Sequence, residues 1–501
     1  MKQLICISTV LFFLLIGNTA HAQGYHIRVQ VQPATQGYLF LGYYFGEKKL
    51  LQDSARIGAD GIAVFQGKER LPGGLYIIVN AEKSRYFDVI IDKEQQFSIT
   101  VDGSFDANTV SFKQSQENQL LKNYQQVSSE HYQQFSALQQ QLSSAKTKAD
   151  SSRIQENMVS VNKNTQQWRD DFIETHPDSY LGLLFQLMKE PEYILPAGKN
   201  THDDSTLAYY RYKQGFWKEI APGDERLLRT PMFEARLTRY MEQVVAKNPD
   251  SLKKEVDKFI LSSRGNKTMF RYYVTRFTNE YMNPKYMGLD AVFLHLFEKY
   301  YLTNQVDWLE AKDKDLVYNR AYNLMGNIVG EPAGNMNLLD TSDFMFSLYN
   351  IEAPYTLVVF WDPDCGHCRE DVPKIDSMYR AKWEKQGMRL VGVLMDTIRT
   401  DYTKVKPVKE NWMKFIREKQ LDGWYHGYQT PQMRDADSKA NRPGIRQMYD
   451  VYQTPTIYLL DKDKKIIAKK ITREQADEIF QAKLNENKTK RGTALQPSSA
   501  H

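Results

Sequence analysis

Cysteine is nearly absent: the 501 residues contain three, Cys6, Cys365 and Cys368. A strong charge of either sign is missing as well, with 66 Lys and Arg against 61 Asp and Glu and a formal net charge of +5. That balance gives no support to the dense basic surface of a nucleic-acid binder or a polybasic membrane anchor. The chain is too long for one ordinary domain, so about two to four are expected, each able to bury its own core.

At the N-terminus, Lys2 precedes an apolar run from Val10 through Ile16, followed by the small-residue pattern Ala20-His21-Ala22. This is the layout of a secretory signal peptide over residues 1–22, cleaved after Ala22. The run is too short to span a bilayer comfortably, although an uncleaved anchor is the rival reading. Cys6 sits before the run and so is not placed as a lipid-anchor cysteine. The expectation is an exported, periplasmic protein, soluble after cleavage. Removing the leader leaves Cys365 and Cys368 alone. An oxidising compartment permits structural disulfides, but this pair is too close in sequence to close a loop of much entropic value. Chemistry is the better account of why the two remain.

Residues 23–113 alternate with period two, as in Ile27/Val29/Val31, Phe87/Val89/Ile91 and Phe97/Ile99/Val101. Turn signals at Asp60-Gly61 and Pro72-Gly73-Gly74 separate short strands, which predicts an antiparallel β-sandwich. Tyr43 and Tyr44 read as cross-strand packing rather than a binding face. Residues 114–325 change texture: Ser115 to Thr175 lacks Gly and spaces its apolar residues as a long helical pair. His176-Pro177-Asp178-Ser179 and Asn248-Pro249-Asp250-Ser251 each place Pro where a first helical turn tolerates it. An all-α domain is expected, its aromatic stretches packing as helix core or forming a partner groove. Residues 326–486 turn to βαβ texture, and the polar residues 487–501 read as a solvated, disordered tail.

Within 326–486, Tyr355 to Trp361 is a near-continuous apolar run, as expected for a strand covered on both faces. Asp362-Pro363-Asp364 breaks it, and Cys365-Gly366-His367-Cys368 opens a helix. Strands follow at Met388–Met395 and Thr456–Leu460, and a last helix from about Arg473 to Leu484.

This segment resembles the thioredoxin superfamily, and within it the exported branch of cytochrome-c-maturation thioredoxins. The likeness rests on Val329-Gly330-Glu331-Pro332-Ala333 with Leu338-Leu339-Asp340, on Phe360-Trp361 leading into the Cys365–Cys368 motif, on Asp371 and Pro373, and on Thr454-Pro455-Thr456 before an apolar strand. The resemblance implies an α/β thioredoxin fold, a cis Pro455, substrate contacts at Trp361, Thr454 and Pro455, and no cofactor or metal. It also implies protein thiol and disulfide substrates and an upstream redox partner. The buried acid found in cytoplasmic thioredoxins before the motif is Val359 here, which leaves Asp371 to handle protons. Asp364 stands where thioredoxin has tryptophan.

With two residues between them at a helix start, the cysteines can close a disulfide while the first sulfur meets the positive end of the helix dipole. Cys365 is then the attacking thiolate and Cys368 the resolving thiol. His367 can stabilise the thiolate and move the couple toward the isomerase end of the roughly −180 to −270 mV range. A structural zinc site needs about four ligands, and no second C-x-x-C is present. Haem attachment needs His where Arg369 stands. The reading is thus an exported thiol-disulfide oxidoreductase, a reductase or isomerase. The alternative is an envelope assembly protein whose thioredoxin module holds a client.

Overall fold

The computed structural model describes residues 24–195, 202–395, 403 and 405–494. The proposed signal peptide and the chain end from 495 onward lie outside the described residues. The chain divides into two compact units, one of residues 1–245 and 259–270 and the other of 246–258 and 271–501.

In the first unit, eight strands follow the period-two pattern: β1 His26–Gln32, β2 Tyr38–Phe45, β3 Lys48–Arg56, β4 Ile62–Gln66, β5 Gly74–Val79, β6 Tyr86–Ile91, β7 Gln96–Asp102 and β8 Ser111–Lys113. They form two four-stranded sheets, ordered β4-β1-β7-β8 and β3-β2-β5-β6. Ile27, Val29 and Val31 of the first sheet meet Leu39, Tyr76, Ile78 and Val89 of the second in one core, so the alternation marked the inner faces correctly. One pairing departs from the antiparallel expectation, because β1 and β7 run parallel, His26 opposite Gln96. Parallel neighbours need a long crossover, and the chain from β2 to β6, most of it in the other sheet, supplies it.

The helices Gln116–Ser144 and Lys148–Thr175 follow, capped by Ser115 and Thr147, whose side chains accept from Asn118 N and Asp150 N. Asn118 is buried, and its side-chain amide satisfies both Ile90 N–H and Ile90 C=O, each at 2.7 Å. It thereby covers the free edge of β6. The two Pro boundaries differ. The helix Pro249–Ser262 begins at its proline. Pro177 instead precedes Ser179, the N-cap of Tyr180–Met188, because the Ser179 hydroxyl supplies the better cap.

The second unit contains the thioredoxin-like α/β module. The strands β9 Asn337–Leu339 and β10 Met345–Ser347 make a small hairpin. The main sheet comprises β11 Tyr355–Trp361, β12 Met388–Leu394, β13 Tyr425–Gly427, β14 Thr456–Asp461 and β15 Ile466–Lys469, in the order β13-β12-β11-β14-β15. Every residue of β11 is buried, as its apolar run predicts. Its alternate residues serve separate cores: Leu357, Val359 and Trp361 on one face, Val358 and Phe360 on the other. The last helix runs Arg473–Ala494, past the Leu484 end expected and into the residues read as a disordered tail. Lys and Glu are good helix formers, and Asn487 Nδ2 holds the extension by donating to the Tyr355 hydroxyl at 2.8 Å.

Candidate active site

β11 delivers the chain to the Asp362-Pro363-Asp364 loop, and the helix Gly366–Met378 starts directly after it with Cys365 at the N-cap. Cys365 N–H donates to Asp362 C=O at 3.2 Å, and Asp364 N–H to Asp362 Oδ1 at 2.9 Å. Arg369 Nε donates to Pro363 C=O at 2.8 Å, which fixes the loop against the helix it precedes. Pro373 lies inside that helix, where a missing N–H and a clash with the preceding turn bend it.

Both cysteines are free thiols, Cys365 half-buried and Cys368 buried. Their environments separate them. Burial by itself raises the Cys365 thiol, but the Thr454 side chain, the Cys368 and His367 N–H groups and the Cys368 thiol hydrogen-bond to it and together hold it below the ordinary cysteine value. Burial pushes the Cys368 thiol up to about 12. The N-cap position explains the contrast: the first N–H groups of a helix have no partner inside it and turn toward the first sulfur, whereas the second sits inside the core. Cys368 packs in that core with Val359 and Trp361.

The Thr454–Pro455 bond is cis. Cys365 Sγ donates to the Thr454 carbonyl at 3.3 Å, so the loop before β14 lies directly against the first sulfur. A groove of about 560 Å³ opens beside it, lined by His367, Asp371, Tyr452, Thr454, Pro455 and Arg473, among others. Five of the residues singled out in the sequence therefore meet here: His367, Asp371, Thr454, Pro455 and, through Thr454, Cys365. His367 reaches the sulfur through its backbone N–H, while its side chain is exposed at the groove. Asp371 is half-buried and its Oδ1 accepts from Arg473 Nη1 at 2.5 Å.

Trp361 is placed differently from the substrate contact expected of it. It is fully buried and packs on Phe415, ring centroids 5.4 Å apart. Its position on the all-buried β11 gives it no surface, so it supports the motif from beneath. Sequence reasoning missed Arg473, Tyr452 and Lys470 on the groove, and also the buried His426. No spacing signal tied them to the cysteines, since the loops at 449–456 and 470–474 reach the motif only through the sheet. His426 stacks on Trp424 with centroids 5.5 Å apart, and its Nε2 lies 2.7 Å from Leu421 C=O. Burial, opposed by that carbonyl and by Asp376 and Asp422, pushes it down to about 4. Gly392 lies beside it, where a Cβ would sit 3.0 Å from both His426 Nδ1 and Trp361 Nε1, tighter than ordinary packing.

A helix N-cap thiol below its usual value, a buried partner thiol and a cis-proline loop on a mixed five-stranded sheet define a thioredoxin-like domain of the thiol-disulfide oxidoreductase class. Residues 329–469 match the AhpC/TSA family, and residues 25–121 match a domain of unknown function, DUF4369. No curated protein matches the chain. Among solved structures, the chain is similar to a domain of a possible thiol-disulfide isomerase from Cytophaga hutchinsonii, with 33% identity covering 33% of this chain and 99% of that one, at a TM-score of 0.27. A thioredoxin-like protein from Bacteroides caccae shares 18% identity over 58% of this chain and 98% of its own, TM-score 0.41. A thiol:disulfide interchange protein from Bacteroides sp. shares 24% over 31% and 91%, TM-score 0.25. Among the described residues no helix is long and apolar enough to cross a membrane.

Proposed function

We propose that the protein is an exported thiol-disulfide oxidoreductase that exchanges disulfides with proteins of the cell envelope through Cys365 and Cys368. The opposite displacement of the two thiols, Cys365 below its usual value and Cys368 up to about 12, carries this reading. The Cys365 thiolate attacks a substrate disulfide, forming a mixed disulfide and expelling one substrate thiolate. Cys368, once deprotonated, attacks the Cys365 sulfur, closes the Cys365–Cys368 disulfide and releases the second substrate thiolate. The substrate disulfide gains two electrons, the enzyme dithiol loses them, and an external dithiol must restore it. Thr454 and Pro455 offer backbone beside the sulfur for an extended substrate, with the Thr454 carbonyl as acceptor and no N–H at Pro455. Asp371, in the groove, is the acid-base group proposed for the resolving step.

The reduction potential of the Cys365/Cys368 couple, titrated against glutathione with each single-cysteine variant as control, tests the reading. A reversible couple within roughly −180 to −270 mV is expected. Absence of a reversible couple would overturn it. Cys368→Ala should trap envelope proteins as mixed disulfides through Cys365, and failure to trap any would favour the assembly-protein alternative.

A further inference from the structure

The loop that carries Thr454 and Pro455 is anchored by a buried ion cluster. Asp450, 1% exposed, lies just before it in the left-handed region, φ 48°. Two cations from different elements take its two oxygens: Arg320 Nη1 reaches Oδ1 at 2.7 Å, and Lys470 Nζ reaches Oδ2. Arg320 belongs to the helix Ala311–Met325, and its Nε donates to Met282 C=O at 3.0 Å. On the same helix face Asn323 Nδ2 donates to the Tyr452 hydroxyl at 3.1 Å. Tyr452 and Lys470 both line the groove beside the cysteines.

A carboxylate this buried is held only while its partners stay in place, since an uncompensated buried charge is costly. The helix Ala311–Met325 precedes the residues matched by the AhpC/TSA family, yet it fixes the start of the loop at two points. We propose that Arg320 is a positioning residue for substrate binding. Through Asp450, and with Asn323 acting through Tyr452, it holds residues 450–455 at the height where Thr454 backbone meets a peptide disulfide lying in the groove. This deepens the oxidoreductase reading and rests on it. Arg320 touches neither sulfur and takes no part in electron transfer. A small disulfide needs only the Cys365 sulfur, whereas a peptide disulfide also needs the groove, so the two substrates separate positioning from chemistry.

The test compares the full-length protein with Arg320→Ala, Arg320→Lys and Asn323→Ala on two substrates, each protein reduced beforehand with dithiothreitol and then freed of it, so that the protein dithiol alone supplies the two electrons in a single turnover under excess substrate. One is 5,5′-dithiobis(2-nitrobenzoic acid) and the other a self-quenched peptide bridged by a disulfide. Arg320→Ala should raise the peptide KM about 5- to 30-fold with the limiting rate unchanged and the small-reagent rate unaltered. Arg320→Lys, which restores the charge but not the bond to Met282, should fall between. Asn323→Ala, which removes one surface hydrogen bond, should raise it about threefold. An unchanged peptide KM in Arg320→Ala overturns the proposal, as does an equal loss on both substrates. If Arg320→Ala does not fold, Arg320→Lys and Asn323→Ala decide by the same criterion. Wild-type protein that reduces neither substrate refutes the oxidoreductase reading and the inference with it, whereas an active wild type with unaffected variants refutes the positioning role alone.

Discussion

Selective alkylation of the reduced protein follows from the two thiol environments. The Cys365 thiol lies below 9.0 and the Cys368 thiol at about 12, a gap of at least about 3. At pH 7 that gap is a factor of about 1000 or more in thiolate population. Nucleophilicity falls as thiol acidity rises, with a Brønsted slope of about 0.5, so the scarcer Cys368 thiolate recovers about 1.5 of those decades. The net preference for Cys365 is about 30-fold before access is counted. Burial of Cys368 adds to it. The assay is a time course of limiting iodoacetamide on the reduced protein at pH 7, quenched and resolved by peptide mass spectrometry for each cysteine. Modification of Cys368 at a rate equal to or above that of Cys365 would refute the assignment of attacking and resolving roles.

His426 provides a pH-dependent test of the core. Its folded value of about 4 lies below the ordinary 6.5, so the unfolded chain binds the extra proton between those values. Stability is then fully present above 6.5 and is lost as pH falls toward 4, by about 3 kcal/mol. Denaturant melts of wild type and His426→Phe at pH 7 and 4.5 should show a steeper loss in wild type; parallel losses would refute this. The buried pair Lys469–Asp290, with side chains 5% and 7% exposed, gives a second test. Lys469→Ala should cost about 3–5 kcal/mol by stranding the carboxylate, and adding Asp290→Leu should recover much of it, read as the denaturant midpoint. A single variant that melts like wild type would show that the pair does not carry a buried charge.

Short-range patterns were enough to reveal much of this protein. Alternation in Ile27/Val29/Val31 identified an inward face because strand side chains have period two whatever the neighbours. The apolar run Tyr355–Trp361 announced a strand covered on both faces. The motif Cys365-Gly366-His367-Cys368 located the helix start and its two thiols, since both depend on residues within one turn. Pairing and burial were a different matter. Nothing local to β1 distinguishes a parallel from an antiparallel neighbour, and β7 became its partner because the intervening chain crossed to the other sheet and back. Trp361 reads in sequence as a substrate contact next to the motif, but the layers over β11 leave its ring no exposed surface. Arg473 beside Asp371 and Arg320 beside Asp450 are separated by 102 and 130 residues. Such pairs are chosen by three-dimensional proximity in a low-dielectric interior, which no spacing rule encodes. The place of the two sulfurs at a helix start was thus legible in the sequence, and the fold decided what surrounds and positions them.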